Sequence, residues 1–146
     1  MEQCLKKYFG YDKFKSDLQR QACIEIAKRQ HDCYVSMPTG AGKSLCFQLP
    51  AMMHDGLSIV VSPLIALIYD QVEQLKKRQI NAATLNSKIA AKLRKEIIAD
   101  LASDSPQIKL LYITPELAAQ DHFKEMMLVL NKKRKLNYFI VDEAHW

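Results

Sequence analysis

Apolar positions along the chain follow helical spacing in some stretches and form unbroken runs in others. Between Ser16 and Arg29, Leu18, Ala22, Cys23, Ile26 and Ala27 share one helical face, and Ser16 stands where an N-cap accepts the first backbone N–H groups. Cys33-Tyr34-Val35-Ser36-Met37 reads as a first buried strand. A helix from about Lys43 to Met53 follows, with Pro50 placed to kink or end it, because proline lacks an N–H and crowds the preceding turn. After a turn at Asp55-Gly56, Ser58-Ile59-Val60-Val61-Ser62 is apolar without alternation, as in a parallel strand covered on both faces. A helix capped by Ser62 and opened by Pro63 runs to about Arg78 on Leu64, Ile68, Val72 and Leu75, and its basic end, Lys76-Lys77-Arg78, complements the helix dipole.

Ala82-Ala83-Thr84-Leu85 predicts a short strand. Ser87 caps a helix to about Leu101 that carries Ile89, Leu93, Ile97 and Leu101, with Lys88, Lys92, Arg94 and Lys95 on solvated faces. Beyond a loop at Ser103-Asp104-Ser105-Pro106, Lys109 to Ile113 is a buried strand, and Thr114-Pro115-Glu116 repeats the cap-and-proline signature. Phe123, Met126, Met127 and Leu130 form a core-facing helical stripe. Lys132-Lys133-Arg134-Lys135 is a basic loop, open to three readings: solvated surface, nucleic-acid contact or localisation signal. The last strand is Tyr138-Phe139-Ile140-Val141. Strands alternating with helices predict a three-layer α/β domain with a mostly parallel sheet, ligand sites at the strand carboxyl ends, and an N-terminal helical segment over the ligand.

Composition narrows the class. A chain of 146 residues with 49% hydrophobic and 25% charged residues suits one soluble globular domain and excludes a disordered or fibrous chain. The net charge of +5 and pI near 9.0 fit a polyanionic partner, and equally a lysine-rich surface that binds nothing. Cys4, Cys23, Cys33 and Cys46 form no C-x-x-C pair, which points to free thiols in a reducing compartment, with neither a disulfide framework nor a zinc site. No stretch approaches the roughly 18 consecutive apolar residues of a membrane span. Met1 to Lys7 lacks the apolar region of a secretory signal. An intracellular, soluble protein with no membrane partner is expected.

The stretch Met37 to Pro50, MPTGAGKSLCFQLP, carries the strongest chemical signal. Thr39-Gly40-Ala41-Gly42-Lys43-Ser44 ends a phosphate-binding loop in which Met37 replaces the usual first glycine. Gly40 and Gly42 let backbone N–H groups close on phosphate oxygens, Lys43 reaches the β- and γ-phosphates, and the Ser44 hydroxyl ligates Mg²⁺. The acidic pair ending the last strand completes such a site: Asp142 holds Mg²⁺, and Glu143 orients and deprotonates the attacking water. Upstream, the aromatic stretch Phe9 to Phe14 precedes Gln19, whose amide suits both the N6 donor and the N7 acceptor of adenine; alternatively Phe9 and Phe14 are core residues and Gln19 is solvated. Ser62-Pro63-Leu64 and Thr114-Pro115-Glu116 are either contact points for a nucleic-acid backbone or ordinary strand-to-helix turns.

Phe9 through Gln19, MPTGAGKSLCFQLPA, VVSPLIALIYDQV, LYITPE and VDEAH resemble, in order and spacing, the motifs of the RecQ family of superfamily 2 DNA helicases. The resemblance implies a RecA-like P-loop NTPase fold and an ATP-dependent enzyme moving 3′ to 5′ on single-stranded or partly duplex DNA. It further implies Mg²⁺, a role in DNA repair and recombination, and nuclear residence. By position, Gln19 reads adenine, Met37 to Ser44 form the phosphate loop, Ser44 and Asp142 place Mg²⁺, Glu143 is the base, and His145 couples hydrolysis to DNA. Ser62, Leu64, Thr114 and Glu116 would track the DNA backbone. Residues 1–30 then form a helical segment with the adenine-reading motif, and residues 31–146 a first RecA-like domain that is C-terminally incomplete, ending after motif II. The family's motif II continues with cysteine where Trp146 stands.

Hydrolysis in such enzymes relies on an arginine finger from a second domain, worth roughly 10³ to 10⁵ in rate. The chain alone is therefore expected to show no unwinding and little ATPase activity, unless a second RecA-like domain or self-association completes it. An open sheet edge prone to association is expected too. Another reading is a noncatalytic regulatory module that binds ATP or DNA. A kinase or GTPase is disfavoured, because Asn131-Lys132-Lys133-Arg134 lacks the aspartate of a guanine-reading N-K-x-D motif.

Overall fold

The computed structural model describes residues 2–27, 45–53, 56–86, 88–103, 106–132 and 136–141. Four strands form one sheet in the order β2-β3-β1-β4: β1 is Leu57–Val61, β2 Ala82–Leu85, β3 Leu110–Ile113 and β4 Leu136–Val141. Every pairing is parallel. Val61 is level with Ile113 and Val141, and Leu85 with Ile113, so all the strands reach the same carboxyl edge.

Burial on both faces explains the unbroken apolar runs. Val60, Leu110, Tyr112 and Ile140 face one core, shared with the N-terminal segment and with the helices α2 (Asp17–Ala27), α3 (Leu45–Met53) and α4 (Ile65–Lys77). Ile59, Val61, Leu111 and Ile113 alternate onto the other face, against α5 (Ala91–Ala102) and α7 (Asp121–Lys132). The α/β three-layer reading with a parallel sheet therefore holds. At the N-terminus, α1 (Glu2–Cys4) passes into a single π-helical stretch, Leu5–Phe9, which buries Leu5 and Phe9. Gly10 ends it in the left-handed conformation, φ 75°, donating its N–H to the Lys6 carbonyl at 3.0 Å. A side chain at Gly10 would be strained there.

Several helix boundaries differ from the sequence reading. Pro50 does not end α3: the helix continues to Met53, and Leu45 through Ala51 are all buried. Packing on all sides offsets the lost bond to the Cys46 carbonyl, a defect of about 3 kcal/mol in an exposed helix. Pro63 does not open α4. Leu64, in extended conformation, is the N-cap, and Pro63 belongs to the preceding turn. The helix after β2 starts at Ala91, not at Ser87, which lies outside the described residues, as does the expected strand Cys33–Met37. Leu18, Leu64 and Leu93, assigned to apolar faces, are exposed. Each sits in or just before the first turn of its helix, beyond the part that the partner layer covers.

Thr114 is the N-cap of the short helix α6 (Pro115–Ala118), with Pro115 in its first turn, as expected, although no side-chain hydrogen bond completes the cap. Helix α4 ends on Arg78. Gln79 takes φ 63°, its N–H meets the Lys76 carbonyl at 2.9 Å, and that of Ile80 meets the Leu75 carbonyl at 3.0 Å. These are the paired bonds of a Schellman motif, and buried Leu75 and Ile80 supply its apolar contact.

Candidate nucleotide site

The sheet's carboxyl edge carries a row of buried polar residues. Ser62, Asn86 and Thr114 follow the last residues of β1, β2 and β3. The Ser62 hydroxyl accepts the Leu64 N–H at 3.4 Å. Asn86 donates to the Tyr69 hydroxyl at 3.1 Å, accepts the Lys88 N–H at 2.7 Å, and offers its carbonyl to the Arg94 guanidinium. Arg94 is thus half-buried and engaged, contrary to its assignment to a solvated face. Beside this row lies a cavity of about 300 Å³ whose walls include Asn86, Arg94, Thr114, Glu116 and Phe123. Leu64 itself is exposed at this edge.

A second cavity, of about 200 Å³, lies between the N-terminal segment and helices α2, α3 and α4, lined by Phe9, Tyr11, Lys13, Lys15, Gln19, Leu45, Gln48, Gln74 and Arg78. Gln19 is its sequence-predicted member. Ser16 accepts the Gln19 N–H at 3.1 Å, as the N-cap reading requires, and the Gln19 Oε1 accepts the Lys15 N–H at 2.8 Å. This Ser-x-x-Gln pairing is a capping box displaced by one residue. It fixes the Gln19 side chain, which is 1% exposed, so the solvated alternative is overturned. Phe9 is a core residue, whereas Phe14 is half-buried and Tyr11 is 44% exposed at the cavity.

Helix α3 starts at Leu45, immediately after Ser44 in sequence, and is anchored beneath the cavity. Gln48 donates its amide to the Tyr112 hydroxyl at 2.9 Å, both residues being buried, and the Tyr112 ring stands edge-on to Phe47 at 6.5 Å between centroids. Between α2 and α3, the Cys23 thiol points to the Leu45 carbonyl at 3.7 Å and the Cys46 thiol to the Gln19 carbonyl at 3.8 Å. The hydrogen bond between the two thiols, with burial, pushes the Cys23 thiol far above its ordinary range. Cys4, Cys23 and Cys46 are free, as expected; Cys33 lies outside the described residues.

Of the other predicted site residues, Met37, Thr39, Gly40, Ala41, Gly42, Lys43, Ser44, Asp142, Glu143 and His145 lie outside the described residues. The elements on either side of them are described. Helix α3 begins at Leu45, the residue after Ser44 in sequence, and β4 brings the chain to Val141, level with Val61 at the carboxyl edge. Sequence reasoning missed Arg78, Gln48, Tyr112, Asn86 and Tyr69, each of which has a partner between 17 and 69 residues away in sequence. Among the described residues no helix is long and apolar enough to cross a membrane.

The sequence model of the DEAD/DEAH box helicase family matches residues 16–146. The chain is 52% identical over 141 residues to the ATP-dependent DNA helicase Q5 of Mus musculus, covering 97% of this chain and 14% of that protein. It is 42% identical over 142 residues to the RecQ-like DNA helicase blm-1 of Caenorhabditis elegans, covering 97% and 14% respectively. It is 39% identical over 145 residues to the ATP-dependent DNA helicase RecQ of Synechocystis, covering 99% and 29%. The chain thus spans between 14% and 29% of the length of these relatives.

Proposed function

The chain belongs to the DEAD/DEAH box helicase family, and on that premise we propose that it is the ATP-binding part of a RecQ-type, ATP-dependent DNA helicase. The observation that carries this reading is the conjunction of the Gln19 cavity with the carboxyl edge of the sheet. The base side of the site is prepared by α2, and the strand that runs into Asp142-Glu143 ends level with its neighbours.

In this reading Gln19 and the Tyr11 side of the cavity take the adenine. Met37, Thr39, Gly40, Ala41 and Gly42 wrap the phosphates with backbone N–H groups, and Lys43 neutralises the β- and γ-phosphates. The Ser44 hydroxyl and Asp142 carboxylate are hard oxygen donors of the kind Mg²⁺ takes, so the donor set fits that ion. Held there, Mg²⁺ would supply neutralisation of the phosphate charge. Glu143 orients the attacking water and takes its proton, and His145 links the site to DNA. The row Ser62, Leu64, Thr114 and Glu116 lies along single-stranded DNA, as the carboxyl edge of an open α/β sheet favours. Movement 3′ to 5′, work in DNA repair and recombination, and residence in the nucleus complete the proposal.

The experiment is ATP binding and hydrolysis by the purified chain, with and without single-stranded DNA, beside Lys43→Ala. ATP binding lost in the variant is the expected result, and DNA-stimulated hydrolysis would mark a site complete without a further domain. A wild-type chain that binds no ATP contradicts the proposal.

A further inference from the structure

Arg78 closes the base cavity from an unexpected direction. It is the C-cap of α4, and its own N–H is shared among the Gln74, Leu75 and Lys76 carbonyls. Left-handed Gln79 follows it, so its backbone is fixed by the Schellman motif. From there the guanidinium crosses to the N-terminal segment. It donates to the Phe9 carbonyl and, at 3.4 Å, to the Tyr11 hydroxyl. Its carbon lies 5.8 Å from the Phe9 ring centroid and 5.4 Å from that of Tyr11, within cation–π range of both. Gly10, between those aromatics, passes under the guanidinium: a β-carbon there would stand 4.0 Å from Arg78 Nη1.

We propose that Arg78 is a positioning residue for the base subsite, pinning Phe9-Gly10-Tyr11 against α4 so that the slot beside Gln19 is formed before nucleotide arrives. The inference rests on the adenine reading of that cavity. Tyr11 is 44% exposed, and the planar fork of an arginine serves the Phe9 carbonyl and the Tyr11 hydroxyl together. A slot fixed in advance binds its base without the entropic cost of ordering the strap on arrival. The phosphate loop does not share in this gain, because the strap meets only the base end of the nucleotide.

The test compares Mg²⁺-ATP with inorganic tripolyphosphate, which engages the phosphate loop alone, by titration onto the full chain, Arg78→Ala, Arg78→Lys and Gln19→Ala. Thermal unfolding verifies that each variant is folded. Arg78→Ala is expected to weaken ATP about tenfold, the combined size of two exposed cation–π contacts, and to leave tripolyphosphate within about twofold of wild type. Arg78→Lys, which keeps the charge and loses the fork, should fall between. Equal losses for both ligands, or no loss for either, would overturn the role of Arg78. If Gln19→Ala loses the preference for ATP while Arg78→Ala keeps it, the adenine reading stands and this inference falls. If the wild-type chain shows no preference for ATP over tripolyphosphate, both fall.

Discussion

Replacing Tyr112 by Phe removes one oxygen from the core and leaves the ring in place. The edge-on contact with Phe47 at 6.5 Å survives, and the acceptor of the bond that Gln48 donates at 2.9 Å is lost. Both residues are buried, and the Gln48 amide is left without that acceptor. A buried hydrogen bond contributes about 1 kcal/mol net, and an orphaned donor raises the loss to about 2 kcal/mol. For a chain of this size that is a fall of about 5 °C in Tm. Urea unfolding followed by circular dichroism measures it, with an unchanged m-value indicating that the unfolded state is unaltered. The double variant Gln48→Met, Tyr112→Phe removes both partners and should regain most of the loss, a coupling of about 1 kcal/mol or more. A single variant within about 0.3 kcal/mol of wild type, or additive single and double variants, would refute the claim that this bond ties α3 to the sheet.

Gln79→Gly relieves a non-glycine residue from φ 63° at an exposed position with no buried side chain to lose, and is expected to stabilise the chain by about 0.5–1 kcal/mol in the same urea assay. Cys23, whose thiol is pushed up by its bond to Cys46 and by burial, keeps its proton in the folded chain where the unfolded chain releases it. Stability from this group is therefore complete below about pH 8.5 and declines as pH rises above it, and Cys23→Ala should flatten that decline in unfolding curves taken across the range. Alkylation with iodoacetamide, read by mass spectrometry, should label half-buried Cys4 in the native chain well before Cys23.

The sheet was legible because parallel strands buried on both faces leave unbroken apolar runs, as at Leu57–Val61 and Leu110–Ile113. Helix centres were legible for a similar reason: Ile68, Val72 and Leu75 repeat at the spacing that meets the sheet. Helix ends were not. Leu18, Leu64 and Leu93 fit the periodicity yet lie past the covering layer, which no local pattern records. The expected phosphate loop and acidic pair stand out as motifs, because their residues are consecutive, and both lie outside the described residues. Gln19 carried two signals at once, an amide whose donor and acceptor suit adenine and the last member of a capping box, and the second explains its burial. Arg78 was hidden by its neighbours. In Lys76-Lys77-Arg78 it reads as one more charge at a helix end, and only the fold shows it meeting Phe9, 69 residues earlier. Asn86 and Gln48 share that history, since a buried polar residue is identified by partners that the chain brings from elsewhere.

The central claim, an ATP site built on the loop that precedes α3, is tested most directly by calorimetric titration of ATP onto the wild-type chain and Lys43→Ala, each with Mg²⁺ and with EDTA. The account predicts Mg²⁺-dependent binding to the wild type, weakened about 100-fold in Lys43→Ala by the loss of a charge-assisted phosphate contact. Binding of equal strength in both proteins, or binding indifferent to Mg²⁺, would contradict it.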